Sequence, residues 1–150
     1  MENNNQKQTP WGLILTAATI LSALAFLSKI FGKDPKDEKN EDANNRAKED
    51  LYKTIPPSYK DFQYLDWANA LDVALMQDST ENEQTVYNVF NRMKNISDVA
   101  KLIEFFGEKR KLFSTQYITL PSAITEYFNE DEKKKLNLIL LRKKIDYRFD

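Results

Sequence analysis

Few residue types in this chain could carry out chemistry. Neither Cys nor His occurs among its 150 residues. That removes thiolate nucleophiles, disulfides, Cys/His zinc sites and imidazole acid–base catalysis. The only glycines are Gly12, Gly32 and Gly107, too few for a phosphate-cradling loop or a dinucleotide fingerprint. What remains would rest on Asp/Glu pairs, Ser–Lys or Tyr, and no carboxylate pair stands out by spacing. The expectation is a protein that is not an enzyme, with no catalytic residue, no cofactor and no small-molecule substrate. Two groups of side chains suit recognition instead. Tyr59, Phe62, Tyr64 and Trp67 gather aromatic rings in one short stretch, fitted to core packing first and to anchoring an interface second. Lys109, Arg110 and Lys111 lie between Phe105–Phe106 and Phe113, and basic clusters with aromatics bind single-stranded nucleic acid. The two phenylalanines before the cluster fall on a helical stripe, however, and residues 51–150 carry 15 basic against 15 acidic side chains. The cluster therefore reads as a solvated face or a protein interface, and no specific nucleic acid is expected.

Four zones must position these groups. Residues 1–10, MENNNQKQTP, are a polar tip with no apolar pattern to bury. Residues 11–31, WGLILTAATILSALAFLSKIF, form an apolar helix of transmembrane type. Residues 32–50 are a charged linker with no aromatic residue and no aliphatic one larger than Ala. Such a segment buries too little surface to offset its ordering entropy, so it reads as a solvated linker or an isolated polar helix. From 51 to 150 the pattern becomes that of a small helical domain.

Within that domain, apolar residues recur at helical spacing. Asp66 is a plausible cap for a helix bearing Trp67, Ala70, Leu71, Ala74 and Leu75 on one stripe. Thr80 to Glu83 has capping-box spacing ahead of Val86, Val89, Phe90 and Met93. Ser97 opens a helix with Val99, Leu102, Ile103 and Phe106 apolar and Gly107 placed to stop it. EKRKLFSTQYI reads as an irregular connection, its end a short extended piece. Pro121 marks a further helix start, and Asn129–Glu132 is a second capping box. It opens a last helix in which Leu136, Leu138, Ile139, Leu140 and Leu141 wrap most of the circumference, so this helix should be central and buried. Arg142 to Lys144 would sit in its final turn, facing the negative end of the helix dipole. The fold class is all-α, with about five helices after the linker.

The segments DWANALDVALMQDSTENEQTVYNVFNRMKNISDVAKLIEFFG and LPSAITEYFNEDEKKKLNLILLRKKIDYRF together resemble a degenerate annexin-like repeat. Such domains occur in small proteins of Bacteroidota and of their tailed, crAss-like phages. The resemblance covers Leu65 to Phe149. It rests on the ALDVALM first helix, the NEQTVYNVF second helix, the FG that ends the third and the IDYRF terminus. It implies a small helical domain of a virion component, preceded by an apolar helix and a polar linker. Calcium-dependent annexins hold Ca²⁺ in a Gly-rich loop between the first two helices. Here that loop is Gln77 to Glu81 and has no glycine, so its carbonyls lack the sharp turn that converges them on an ion. No metal site is carried over; Asp78, Glu81 and Glu83 are at most weak Ca²⁺ ligands, and acids at a helix start are ordinarily dipole partners.

The apolar stretch admits three readings. From Trp11 to Ser28 there are 18 uncharged residues, about 27 Å of helix against a ~30 Å hydrocarbon core. Ile30 and Phe31, with Lys29 snorkelling, close the gap. Lysines concentrated after the stretch would place the linker and domain in the cytoplasm. A signal peptide has Ala23-Leu24-Ala25 in its favour but lacks a basic n-region. Burial in protein is the third, and Ala18 and Ser22, four apart, permit close helix approach. Trp11, Leu15, Ala18, Ser22, Ala25, Lys29 and Phe31 are the residues of this membrane or assembly helix. The expectation is a structural or accessory protein, in a virion or associated with a membrane. Its partners would be other protein subunits and, where the helix spans, the lipid bilayer; a bacterial single-pass binding module is the alternative.

Overall fold

Residues 41–50, on the charged side of the apolar stretch, are helical: α1 runs Glu41–Thr54. The computed structural model describes residues 41–77, 82–111 and 114–149. The expectations for the polar tip, for Trp11–Phe31 and for residues 32–40 lie outside them. Among the described residues no helix is long and apolar enough to cross a membrane.

After α1 come α2, Asp61–Asp72, which continues as a π-helical turn over Val73–Gln77, then α3, Glu83–Phe90, and α4, Ile96–Phe106. Two short strands, β1 Glu108–Arg110 and β2 Tyr117–Thr119, pair antiparallel, with Lys109 opposite Ile118. Helices α5, Leu120–Tyr127, and α6, Glu130–Arg142, complete the chain. The described chain is thus mostly helical, and the expected irregular connection is a β-hairpin. Lys48 onward forms a compact unit. In it α2 packs chiefly against α4, and α3 against α2 and α6. The core they enclose holds Tyr64, Leu71, Val86, Phe90, Met93 and Leu102, with Leu120, Ile124, Leu136 and Leu140 from the second half.

The ends of the helices follow from local chemistry. Gln63 reaches back to accept the Lys60 N–H at 3.2 Å, so α2 begins well before the expected cap at Asp66. Asn82 caps α3 by accepting from the Thr85 N–H at 3.1 Å; Thr80 and Glu81 lie outside the described residues. Asn95, not Ser97, caps α4, and Asp98 answers it from the third position. Gly107 ends α4 with φ +62° and ψ −149°, a conformation that only glycine adopts freely. The expected box at α6 is present: Asn129 accepts from the N–H groups of Asp131 and Glu132, and Glu132 accepts from that of Asn129.

α6 is not the central helix its leucines suggested. Leu136 and Leu140 are buried, but Leu138 is 49% and Leu141 61% exposed, with Ile139 between these extremes. Four-residue spacing puts Leu136 and Leu140 on the core side, while Leu138 and Leu141 share the opposite one. Beyond Arg142 the helix closes in a Schellman motif. The Ile145 N–H donates to Leu140 O and the Lys144 N–H to Leu141 O, with Lys144 at φ +58°. The terminal segment then turns back on α6. Asn137 grips Phe149 through both its backbone groups, at 2.8 and 2.9 Å, and the Phe149 ring meets Phe90 edge-on at 5.3 Å.

Candidate docking surface

One buried carboxylate organises the face where α2, α4 and the Asn91–Asn95 connection meet. Asp98 is fully buried at the start of α4. Its Oδ1 accepts the Ser58 N–H and the Tyr64 hydroxyl, both at 2.6 Å. Its Oδ2 accepts the backbone N–H groups of Lys94 at 2.7 Å and Asn95 at 3.3 Å. Every contact is from a neutral donor, so the group ties three chain segments together without an ion pair. Asn95 strengthens the junction, its Nδ2 donating to Pro56 O and Ser58 Oγ. Burial and the bond to Asp98 push the Tyr64 hydroxyl well above the ordinary tyrosine range, so it remains a donor. The carboxylate thus holds the junction together through four hydrogen bonds.

The four aromatic residues singled out in the sequence separate here into three environments. Tyr64 belongs to the core. Tyr59 and Trp67 are half-buried and pack edge-to-face with centroids 4.9 Å apart, each also touching the Tyr64 ring edge-on. Phe62 is on the far side of α2, 59% exposed. It is joined there by Leu65, one turn on, and by Val73, about three turns on, which are 46% and 49% exposed. The inner face of the same helix carries Tyr64, Ala68 and Leu71, all buried. α2 therefore carries apolar residues on both faces, the outer one shared with exposed Asp66 and Asn69. Leu65 and Val73 were missed from the sequence, although their spacing from Phe62 is readable as one face.

The basic triplet is dispersed. Lys109 pairs with Asp72 at 3.6 Å, Arg110 Nε donates to Ser114 O at 2.8 Å, and Lys111 binds the Glu126 carboxylate, at 2.7 Å to one oxygen. Two of the three cations thus tie the hairpin to α2 and α5, and the third braces its own turn. Of the calcium candidates, Asp78 and Glu81 lie outside the described residues, and Glu83 is half-buried in the first turn of α3. Among the described residues no three acidic side chains converge to hold a metal ion.

What this arrangement can do is present surface. Phe62, Leu65 and Val73 along α2 and the pair Leu138–Leu141 on α6 expose apolar side chains, and Tyr59 and Trp67 are half-exposed at the junction. Compared with family models, with curated proteins and with solved structures, the chain finds no match.

Proposed function

We infer that this chain is a non-enzymatic structural or accessory component of a virion or membrane-associated assembly. In this reading Trp11–Phe31 inserts into a bilayer or a neighbouring subunit, and the helical domain docks other proteins. One observation carries the docking half: the outer face of α2 exposes Phe62, Leu65 and Val73 on a helix whose inner face is already core. Exposed apolar residues gathered on one element mark interaction surfaces in soluble domains. The uncharged length of Trp11–Ser28 supports the insertion half. The virion assignment draws on the resemblance of Leu65–Phe149 to annexin-like domains of phages.

A photo-crosslinking side chain introduced at Phe62 in the native setting tests the docking. A discrete protein adduct is expected there and not from the exposed control position Asn88. Adducts at neither position, or equally at both, would remove α2 from the interface. Mass spectrometry of purified particles decides the setting. Recovery of the chain only in cell membranes would replace the virion component by a bacterial membrane-anchored binding module.

A further inference from the structure

The Asn91–Asn95 connection carries two cations held in place before any partner arrives. Met93 is fully buried, which turns its neighbours Arg92 and Lys94 outward, where both are exposed. The Arg92 guanidinium lies over the Trp67 ring at 5.9 Å and the Lys94 ammonium over the Tyr59 ring at 4.7 Å. The backbone beneath them is pinned twice. Tyr59 donates its hydroxyl to Arg92 O at 2.6 Å, and buried Asp98 accepts the N–H groups of Lys94 and Asn95. Among the described residues neither cation forms an ion pair, whereas Lys101, Lys109 and Lys111 each have an acidic partner. Lys60, exposed and next in sequence to Tyr59, adds a third positive charge.

We propose that Tyr59, Trp67, Arg92 and Lys94 form a binding site for an acidic peptide segment of a partner protein. A guanidinium laid against an indole keeps its N–H edge free for a carboxylate, and its orientation is set in advance. Trp, Tyr and Arg together are also the types that concentrate binding energy at interfaces. Single-stranded nucleic acid fits less well. It needs open ring faces for base stacking and a broad positive groove. Here a cation already covers a face of each ring, and the charges of residues 51–150 balance. The site stands on different residues from the apolar stripe of α2, so either can fail alone.

The test uses the full chain in a non-ionic detergent, with a fluorescein-labelled oligoglutamate and an oligothymidylate of equal charge as probes. Anisotropy should show saturable binding of oligoglutamate and weaker binding of the oligonucleotide. Arg92→Glu with Lys94→Glu should weaken oligoglutamate binding about tenfold or more and confer binding of oligolysine. Lys53→Glu with Lys134→Glu changes the net charge equally at two other exposed positions and should leave binding within about twofold. Phe62→Ser with Leu65→Ser, which disables the docking stripe, should also leave it intact. Circular dichroism reports folding; if the double reversal unfolds, Arg92→Gln with Lys94→Gln replaces it and should still lose binding. No saturable binding, equal loss from both charge reversals, or tighter binding of the oligonucleotide would each overturn the proposal.

Discussion

Replacing Asp98 should be the most damaging single change on this face of the domain. Asp98→Ala strands the Tyr64 hydroxyl inside the core and removes the acceptor of three backbone N–H groups, those of Ser58, Lys94 and Asn95. A buried donor left unsatisfied costs about 1–3 kcal/mol. Ser58 and Lys94 are exposed residues whose N–H groups water can reach after a small shift, so they belong at the low end. The sum is about 3–5 kcal/mol, a large share of the roughly 5–15 kcal/mol that holds a domain folded. For a domain near 100 residues this lowers the melting temperature by about 15–25 °C. Asp98→Asn keeps an acceptor for Ser58 and Tyr64 but sets an NH₂ against the Lys94 and Asn95 donors, for about 2 kcal/mol. Tyr64→Phe keeps the ring and loses the bond to the carboxylate and the longer one accepted from the Tyr59 N–H, about 1.5–2 kcal/mol. Ser97→Ala is the control: equally buried and one residue away, its hydroxyl has no hydrogen-bond partner among the described residues, so its removal should be neutral or slightly stabilising. Thermal melts followed by circular dichroism rank the four. If Asp98→Ala melts alongside Ser97→Ala, the carboxylate does not hold the junction and the preorganisation of Arg92 and Lys94 has no basis.

The two left-handed backbone positions predict shifts of opposite sign. Gly107→Ala should cost about 1–3 kcal/mol, from conformation alone, because an added Cβ would meet only the Glu104 carbonyl oxygen at 3.8 Å. Lys144→Gly relieves a non-glycine residue at φ +58° and should stabilise by about 0.5–1 kcal/mol, both read from the same melts. Alkaline pH is a further lever. Burial, reinforced by Glu104, pushes the Tyr52 hydroxyl far above its ordinary value, and burial with the Asp98 bond does the same for Tyr64. A group whose value is raised in the folded state contributes stability that is complete below the unfolded value, about 10 for tyrosine. That stability is lost as pH rises toward the folded value. The melting temperature should therefore fall above about pH 10, less steeply in Tyr52→Phe with Tyr64→Phe; an unchanged slope would assign the alkaline loss to the lysines instead.

Signals confined to one turn of chain were legible in the sequence. Asn129 to Glu132 caps α6 and Gly107 stops α4, because each feature needs only neighbours within a few residues. The helical stripes through Val86–Met93 and Val99–Phe106 are core for the same reason. Of the hairpin only the extended end at Tyr117–Thr119 was legible; Glu108–Arg110 is too short and too polar to show an alternation, and the pairing spans a loop. Nor was Asp98, whose bonds to Ser58 and Tyr64 span 40 and 34 residues. No local pattern distinguishes a carboxylate that caps a helix from one that also collects a hydroxyl from across the core.

Two further differences bear on function. A cap at Asp66 leaves Phe62 and Leu65 outside α2, and a helical pattern counts every leucine of α6 toward a buried stripe. Phe62 and Leu65 belong to the face of α2 opposite Tyr64 and Leu71, and Leu138 and Leu141 to the face of α6 opposite Leu136 and Leu140. Pattern rules fail where a residue serves something other than the chain's own core. A helix that needed only to fold would gain nothing from Phe62 on its outer side, since a polar residue there would leave Tyr64 and Leu71 as well packed. The same logic separates the cations. Lys109 and Lys111 have acidic partners that hold the hairpin, whereas Arg92 and Lys94 are oriented by rings and a pinned backbone with no acid opposite them. The exposed apolar side chains of α2 and α6 and these two ring-held cations are features that the domain's own folding does not explain; docking on the α2 stripe and an acidic segment at Arg92 and Lys94 would account for two of them.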